Sequence, residues 1–204
     1  MKQTCRLVGL ACAFVLALAS QSFAQGKIKV AIWEFDNNAA HSYWYWDKMG
    51  PAARNIIDTA FSENKLLANK FSVIERDKLN LVLKEQGLAQ TGAVDPATAA
   101  KVGKILGVKY IILGGIDKFD VNKTSGAIGR FGVGGNVVSS NATVNLRVVD
   151  STTAERVLSI AGDGNVKKGG GFYKDISGNR EAEWGLASET INEAAKAVVT
   201  KLTT

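Results

Sequence analysis

The sequence predicts an α/β protein in which a mixed β-sheet is covered by helices and carries two glycine-rich hairpin or loop extensions. Three observations point there. Strand-like and helix-like segments alternate in the first half of the chain, strands of antiparallel pattern follow in the second, and 13 of the 21 glycines fall between residues 114 and 178. With 204 residues, 46% of them hydrophobic and 22% charged, there is enough apolar material for one self-supporting core. That balance belongs to a folded protein and not to a disordered segment.

The first 24 residues stand apart. Lys2 and Arg6 precede an almost continuous apolar or small run from Leu7 to Ala19, and Ser22-Phe23-Ala24 supplies small residues where a signal peptidase reads. The run is too short to span a bilayer well. Residues 1–24 are therefore expected to be a cleaved secretory signal and 25–204 a single exported domain. Cys5 and Cys12 would leave with the signal, together with Lys2 and Arg6, which lowers the formal charge from +6 to +4. Cys12 lies inside the apolar run, without a leucine three residues before it, so no lipid attachment is expected there.

The elements follow in order. Lys27 to Phe35 reads as a first strand, apolar on one face and mostly so on the other, as a central buried strand requires. Pro51 opens a helix with Ile56, Ile57, Ala60 and Phe61 at helical spacing. Phe71 to Ile74 is a short strand. Asp77 caps a helix carrying Leu79, Val82 and Leu83, which Gly92 ends. Asp95-Pro96 starts another helix and Gly107 stops it. Val108 to Ile116 is the most apolar run and reads as an interior strand. Ala142 to Val148 and Val157 to Ala161 form a hairpin about the turn Asp150 to Ala154. A final helix runs from about Trp184 through Leu186, Ile191, Ala194, Ala195, Val198 and Leu202. The order is β-α-β-α-α-β-β-β-α, a mixed sheet under helices.

The residue inventory excludes much chemistry. Without Cys5 and Cys12 there is no disulfide framework, thiol nucleophile or cysteine-bound zinc. His41, the single histidine, cannot form a His pair for a metal, and it is the one side chain a Ser-His-Asp hydrolase could use. No phosphate-binding loop occurs: Gly103-Lys104 is not followed by Ser or Thr, and the glycine stretches never spell Gly-x-Gly-x-x-Gly. The surplus charge is interleaved with acids, so no nucleic-acid partner is expected. No catalytic, cofactor-binding or metal-binding residue is expected.

Two local features carry the candidate sites. The glycine-rich segments Gly126 to Gly135 and Gly162 to Gly171 read as long turns or extended hairpins, with Gly132, Gly134, Gly135, Gly169, Gly170 and Gly171 as candidate tips. From Asp117 onward neither parity forms an apolar stripe, and the stripe begun by Leu158 and Ile160 gives way to Gly162, Gly164, Val166 and Lys168. A lysine at mid-bilayer costs about 2–4 kcal/mol, so these segments look too polar to sit in lipid. Tyr43-Trp44-Tyr45-Trp46, between the first strand and first helix, is either an aromatic contact surface or sheet-edge packing. Glu75-Arg76 is expected to make a local ion pair worth under about 1 kcal/mol.

The strand Val-Ala-Ile-Trp-Glu-Phe at 30–35, Phe-Ser-Val-Ile-Glu-Arg at 71–76, Leu83-Lys-Glu-Gln86, Gly103-Lys-Ile-Leu-Gly-Val-Lys-Tyr-Ile-Ile-Leu-Gly at 103–114 and Val144-Asn-Leu-Arg-Val-Val-Asp150 resemble, in order and spacing, the CsgG family of curli production assembly and transport components. The resemblance implies an anticodon-binding-domain-like α/β fold and a non-enzymatic role in the bacterial envelope. It implies a ring homo-oligomer that lets fibre subunits out, with two hairpins per subunit in a shared barrel. It also implies a constriction loop after the first strand, where Tyr43, Trp44, Tyr45 and Trp46 lie here. Expected partners are further copies of this chain and an envelope or secreted protein, with the periplasm as location and an association with the outer membrane. The alternative is a soluble periplasmic adaptor, akin to activators of penicillin-binding proteins.

Overall fold

Val30 and Ile32 point to one face of β1 (Ile28–Asn37), Ala31 and Trp33 to the other, and all four are buried. A strand apolar on both sides needs cover on both, and the rest of the chain supplies it. The computed structural model describes residues 26–39, 43–88, 94–128, 133–169 and 179–204, with backbone alone at 125–128 and 133–136. One five-stranded sheet runs in the order β2-β1-β3-β4-β5, with β2 at Phe71–Val73, β3 at Tyr110–Ile128, β4 at Val133–Asp150 and β5 at Arg156–Gly169. β1 lies parallel between β2 and β3, whereas β3, β4 and β5 are antiparallel. Helices α1 (Trp46–Glu63) and α5 (Arg180–Thr203) cover one face. Helices α3 (Arg76–Glu85) and α4 (Pro96–Leu106) cover the other face of the parallel half. The short α2 (Lys65–Lys70) joins α1 to β2 and adds one element to the predicted order; Asn64 caps it by accepting from the Leu66 and Leu67 amides.

Several boundaries move. α1 starts at Trp46, a turn before Pro51, which sits inside the helix. The early start is fastened from outside the helix, because Asn37 Nδ2 donates to the Trp46 carbonyl at 3.1 Å and the Trp46 amide to Tyr43 O at 3.2 Å. α3 begins at Arg76 after an uncapping Glu75, and Asp77 lies in its first turn, where a carboxylate favours the positive end of the helix dipole. The helix ends at Glu85, with Gly87 left-handed at φ 65° shortly after; Gly92 lies outside the described residues. Arg76 pairs with Glu34 on β1 and not with its neighbour Glu75. α5 starts at Arg180, capped by Asn179, four residues before Trp184. Asp95 and Gly107 bound α4 as predicted.

The strands outrun their apolar cores. β3 spans 19 residues and β4 18, paired throughout apart from a register shift between Ile116 and Lys118. That bulge moves the core-facing side chains from Ile112 and Ile116 to Phe119 and Val121, so the alternation breaks in the sequence although the strand continues. The Gly162–Gly169 stretch is likewise no loop. It is the regular second half of β5, in register with Val137 to Val144. Gly162 and Gly164 face α5 so closely that a Cβ at Gly164 would lie 2.2 Å from the Thr190 carbonyl oxygen. Glycine here seats a helix. On the reverse face of β3–β5 polar pairs line the rungs: Asn145 donates to Asp117 at 2.5 Å, Thr143 to Asp163 at 2.7 Å, and Asn165 to Asn141.

Candidate functional site

β1 finishes at one end of the sheet, here called the top, where β3 and β4 continue as a ribbon and α1 and α5 begin. The aromatic cluster is assembled there. Its position follows from close approach: a Cβ on Gly50 would lie 2.1 Å from Phe35 O, so α1 reaches β1 only because residue 50 is glycine. Asn37 then ties the strand end to the helix start, and the Ala39 amide closes back on Asn37 Oδ1 at 3.3 Å.

The four aromatics divide into two roles. Tyr43 and Tyr45 stack at 5.3 Å between ring centroids with planes 14° apart, and both meet Phe119 of β3 edge-on, at 5.2 and 6.0 Å. Tyr45 is 2% exposed and also touches Trp184. Tyr43 Oη accepts from the Val121 amide at 3.3 Å, which fixes the loop to the ribbon just past the bulge. Trp46 packs against the same core from the start of α1. These three rings hold the top of the sheet together. Trp44 is different: it is 43% exposed, its Nε1 donates to Glu183 at 2.9 Å, and it stands edge-on to Tyr45 at 5.5 Å. Lys48 Nζ and the Arg180 guanidinium lie 5.1 and 5.4 Å from its ring centroid, within cation–π range.

A depression of about 450 Å³ opens beside these rings, lined by Tyr43, Trp44, Tyr45, Val121, Lys123 and Glu183. Burial pushes the Tyr45 hydroxyl well above its ordinary range, with the neighbouring Tyr43 and Glu183 adding to the shift. Tyr45 therefore stays neutral and offers no base. The site can stack on planar or apolar groups and form hydrogen bonds. Among the described residues no group of three or more His, Cys, Asp or Glu could hold a metal ion, and no helix is long and apolar enough to cross a membrane.

The predicted residues are thus brought together in the case of Tyr43, Trp44, Tyr45 and Trp46. Their supports Phe119, Glu183 and Trp184 were not singled out. Phe119 falls after the bulge, where the alternation is interrupted, and Glu183 and Trp184 lie on a helix turn a long way off in sequence. Of the glycine tips, Gly134 and Gly135 pair with Ala127 and Gly126 in the β3–β4 ribbon. Gly169 ends β5 with φ 138°. Gly132, Gly170, Gly171 and His41 lie outside the described residues.

Comparison with known proteins agrees with this architecture. The model of the family described as curli production assembly/transport component CsgG matches residues 11–204, and the chain belongs to that family. No curated protein matches the chain. Among solved structures, it is similar to one from Helicobacter pylori described as a neuraminyllactose-binding hemagglutinin homolog, at 8% identity over 87% of this chain and 86% of that one, with a TM-score of 0.54. That likeness shows a shared fold. Looser matches are the LpoB C-terminal domain from Salmonella enterica (13% identity, 73% and 90% covered, TM-score 0.48) and the PelC dodecamer from Paraburkholderia phytofirmans (14%, 85% and 87%, 0.37). Family membership supports an envelope-associated role.

Proposed function

We propose that this chain is a non-enzymatic cell-envelope protein that acts in the assembly or export of extracellular, curli-type fibre subunits, working in the periplasm as a ring of identical copies. Family membership supplies the class. The observation that carries the reading is the coincidence, at the top of the sheet, of the projecting β3–β4 ribbon with Trp44, the one ring of the cluster left substantially in solvent. Copies arranged with their tops together would gather Trp44 side chains around one axis. Aromatic faces grip extended polypeptide without sequence preference, and catalysis is not needed for passage. The absence of enzymatic chemistry rests on the inventory of one histidine and two early cysteines.

A second reading, a soluble periplasmic adaptor or activator of an envelope enzyme, is favoured by a specific observation. Among the described residues, β5 ends opposite Val137, which pairs with Thr124, and past that rung β3 and β4 pair with each other alone for four residues, about 13 Å. Membrane-crossing strands need about 9–11. In the second glycine segment, Gly162 and Gly164 are already seated against α5.

Light scattering on the protein, with and without outer-membrane lipid and detergent, separates the two. The ring reading expects a discrete large oligomer. A monomer under every condition would overturn it in favour of the adaptor.

A further inference from the structure

The opposite end of the sheet, its base, has a character of its own. β1, β2, β3 and β5 begin there, at Ile28, Phe71, Tyr110 and Arg156, and α5 ends there at Thr203. Between them an apolar groove of about 450 Å³ opens, floored by Phe71, Tyr110 and Leu202 and rimmed by Leu66, Val157 and Leu158. Those rim residues are 63%, 53% and 39% exposed. Three large aliphatic side chains standing in water around one groove form a patch, whereas Leu81 and Ile105 belong to the helices of the other layer.

The charge around the groove is predominantly positive. The register of the strand starts and the short α2 bring Lys27, Lys29, Lys65, Lys70, Lys109 and Arg156 to this end, all exposed. The Lys109 amide bonds the Lys29 carbonyl, which ties two of these positions together. The acids at the same end are Glu63, Glu155 and Asp150, with Asp58 and Glu75 sharing a hollow with Lys27. Asp150 and Lys109 neutralise each other at 2.8 Å and Asp58 pairs with Arg54 at 3.1 Å, which leaves Lys27, Lys29, Lys65, Lys70 and Arg156 against Glu63, Glu75 and Glu155. Aliphatic side chains inside a cationic rim match a bilayer surface, with acyl chains beneath and phosphates above. A second copy meeting this face with its own would bring two cationic rims together. The chain preceding Ile28 also departs from this end, so whatever lies before β1 starts at the same surface.

We propose that the base of the domain docks on an anionic lipid surface, with Leu66, Val157 and Leu158 entering the headgroup boundary and the lysines meeting phosphate. This does not depend on ring assembly or on what the top of the sheet contacts.

The test is flotation of the protein, as isolated from cells, with vesicles of phosphatidylcholine alone or mixed with phosphatidylglycerol. The protein is expected to float with the anionic vesicles and to lose binding at high salt. Leu66→Glu with Leu158→Glu is expected to lower partitioning at least about tenfold, and Lys65→Gln with Lys70→Gln about fivefold per charge removed. Leu81→Glu, exposed on α3, is the control and should float like the parent. All these side chains are solvent-facing, so unchanged thermal melting is expected and is checked on each variant. Absence of binding to the anionic vesicles would overturn the proposal, as would binding that the groove and lysine variants leave intact. A change of oligomeric mass in the Leu66→Glu, Leu158→Glu variant without change in vesicle binding would also overturn it, and would assign the face to another copy.

Discussion

Replacing Gly164 by alanine should unseat helix α5. The added Cβ would lie 2.2 Å from Thr190 O and 2.6 Å from Ala194 N, about 1 Å inside ordinary contact. Both obstacles are backbone, so no side-chain rotation relieves them, and the helix must shift along most of its buried stripe. Two backbone clashes this deep put overpacking at the upper end of its usual range, about 3 kcal/mol, less the 0.5–1 or so that a strand regains when glycine becomes alanine. A net loss of about 2 kcal/mol is expected. Gly162→Ala meets Ala194 O at 2.4 Å and Val198 N at 2.7 Å. Both substitutions press on residue 194, so the double variant should lose about 3 kcal/mol and not about 4, the first shift having made room for the second. Urea unfolding measures both quantities, and the single variant should melt about 4–8 °C lower. Gly185→Ala, inside α5 with open space around it, should do the reverse and stabilise by about 0.5–1 kcal/mol. A Gly164→Ala protein as stable as the parent would refute the argument, because that is how a glycine in a surface loop behaves. Strict additivity of the pair would refute the shared seat.

Trp44→Ala should cost under about 1 kcal/mol of stability, since it gives up one exposed hydrogen bond and an edge contact, while Tyr45→Ala should cost about 3–4. Fibre-subunit export should nonetheless fall in the Trp44 variant; normal export there would remove Trp44 from the proposed contact. Asp150 accepts from Lys109 Nζ and from the Thr152 and Thr153 amides, and these bonds, the lysine's first, lower its carboxyl from 3.8 to about 2. A depressed native pKa gives stability that is present in full above the unfolded value and lost as protonation sets in. Asp150→Asn should therefore flatten the stability curve between about pH 4 and pH 2, and unchanged steepness in acid titrations of the variant would count against the bonds.

How far the fold could be read in advance depended on burial. β1 was legible because Val30, Ala31, Ile32 and Trp33 are each buried, and a strand covered on both sides has an unmistakable composition. Asp95 and Gly107 were legible because capping is local chemistry that tertiary structure has little power to change. The start of α1 was hidden, since it is fixed by Asn37 and by Gly50 fitting beneath the Phe35 carbonyl, neither of which is a helix signal. The length of β3 was hidden by the bulge after Ile116. Hydropathy records which side chains are covered, whereas strand pairing needs only backbone, and Asn122, Lys123 and Thr124 of β3 are exposed. At the candidate site the aromatic run was visible, but its division into three packed rings and one exposed ring was not. That division is made by Phe119, Glu183 and Trp184, which tertiary folding brings from β3 and α5.

The glycines of β5 bear on function as well as on fold. If each subunit were to lend a second hairpin to a shared barrel from residues 162–171, β5 would first have to leave α5. Leu186, Ile191 and Val198, with Ala187, Ala194 and Ala195, are buried against the sheet and neighbouring helices. Exposing them would cost roughly 8 kcal/mol at ordinary transfer values, more than half of what a domain of this size has to spare. Only contacts between subunits could offset that. The Gly164→Ala protein then distinguishes two modes of assembly. Weakening the seat lowers the cost of release, so a ring that needs β5 free should form more readily in the variant even as the isolated subunit melts earlier. A ring that uses the subunit as folded should instead weaken in step with its stability. The close approach at Gly164, together with Glu189 of α5 pairing with Lys168 of β5, favours the second mode, in which subunits would meet through intact domains.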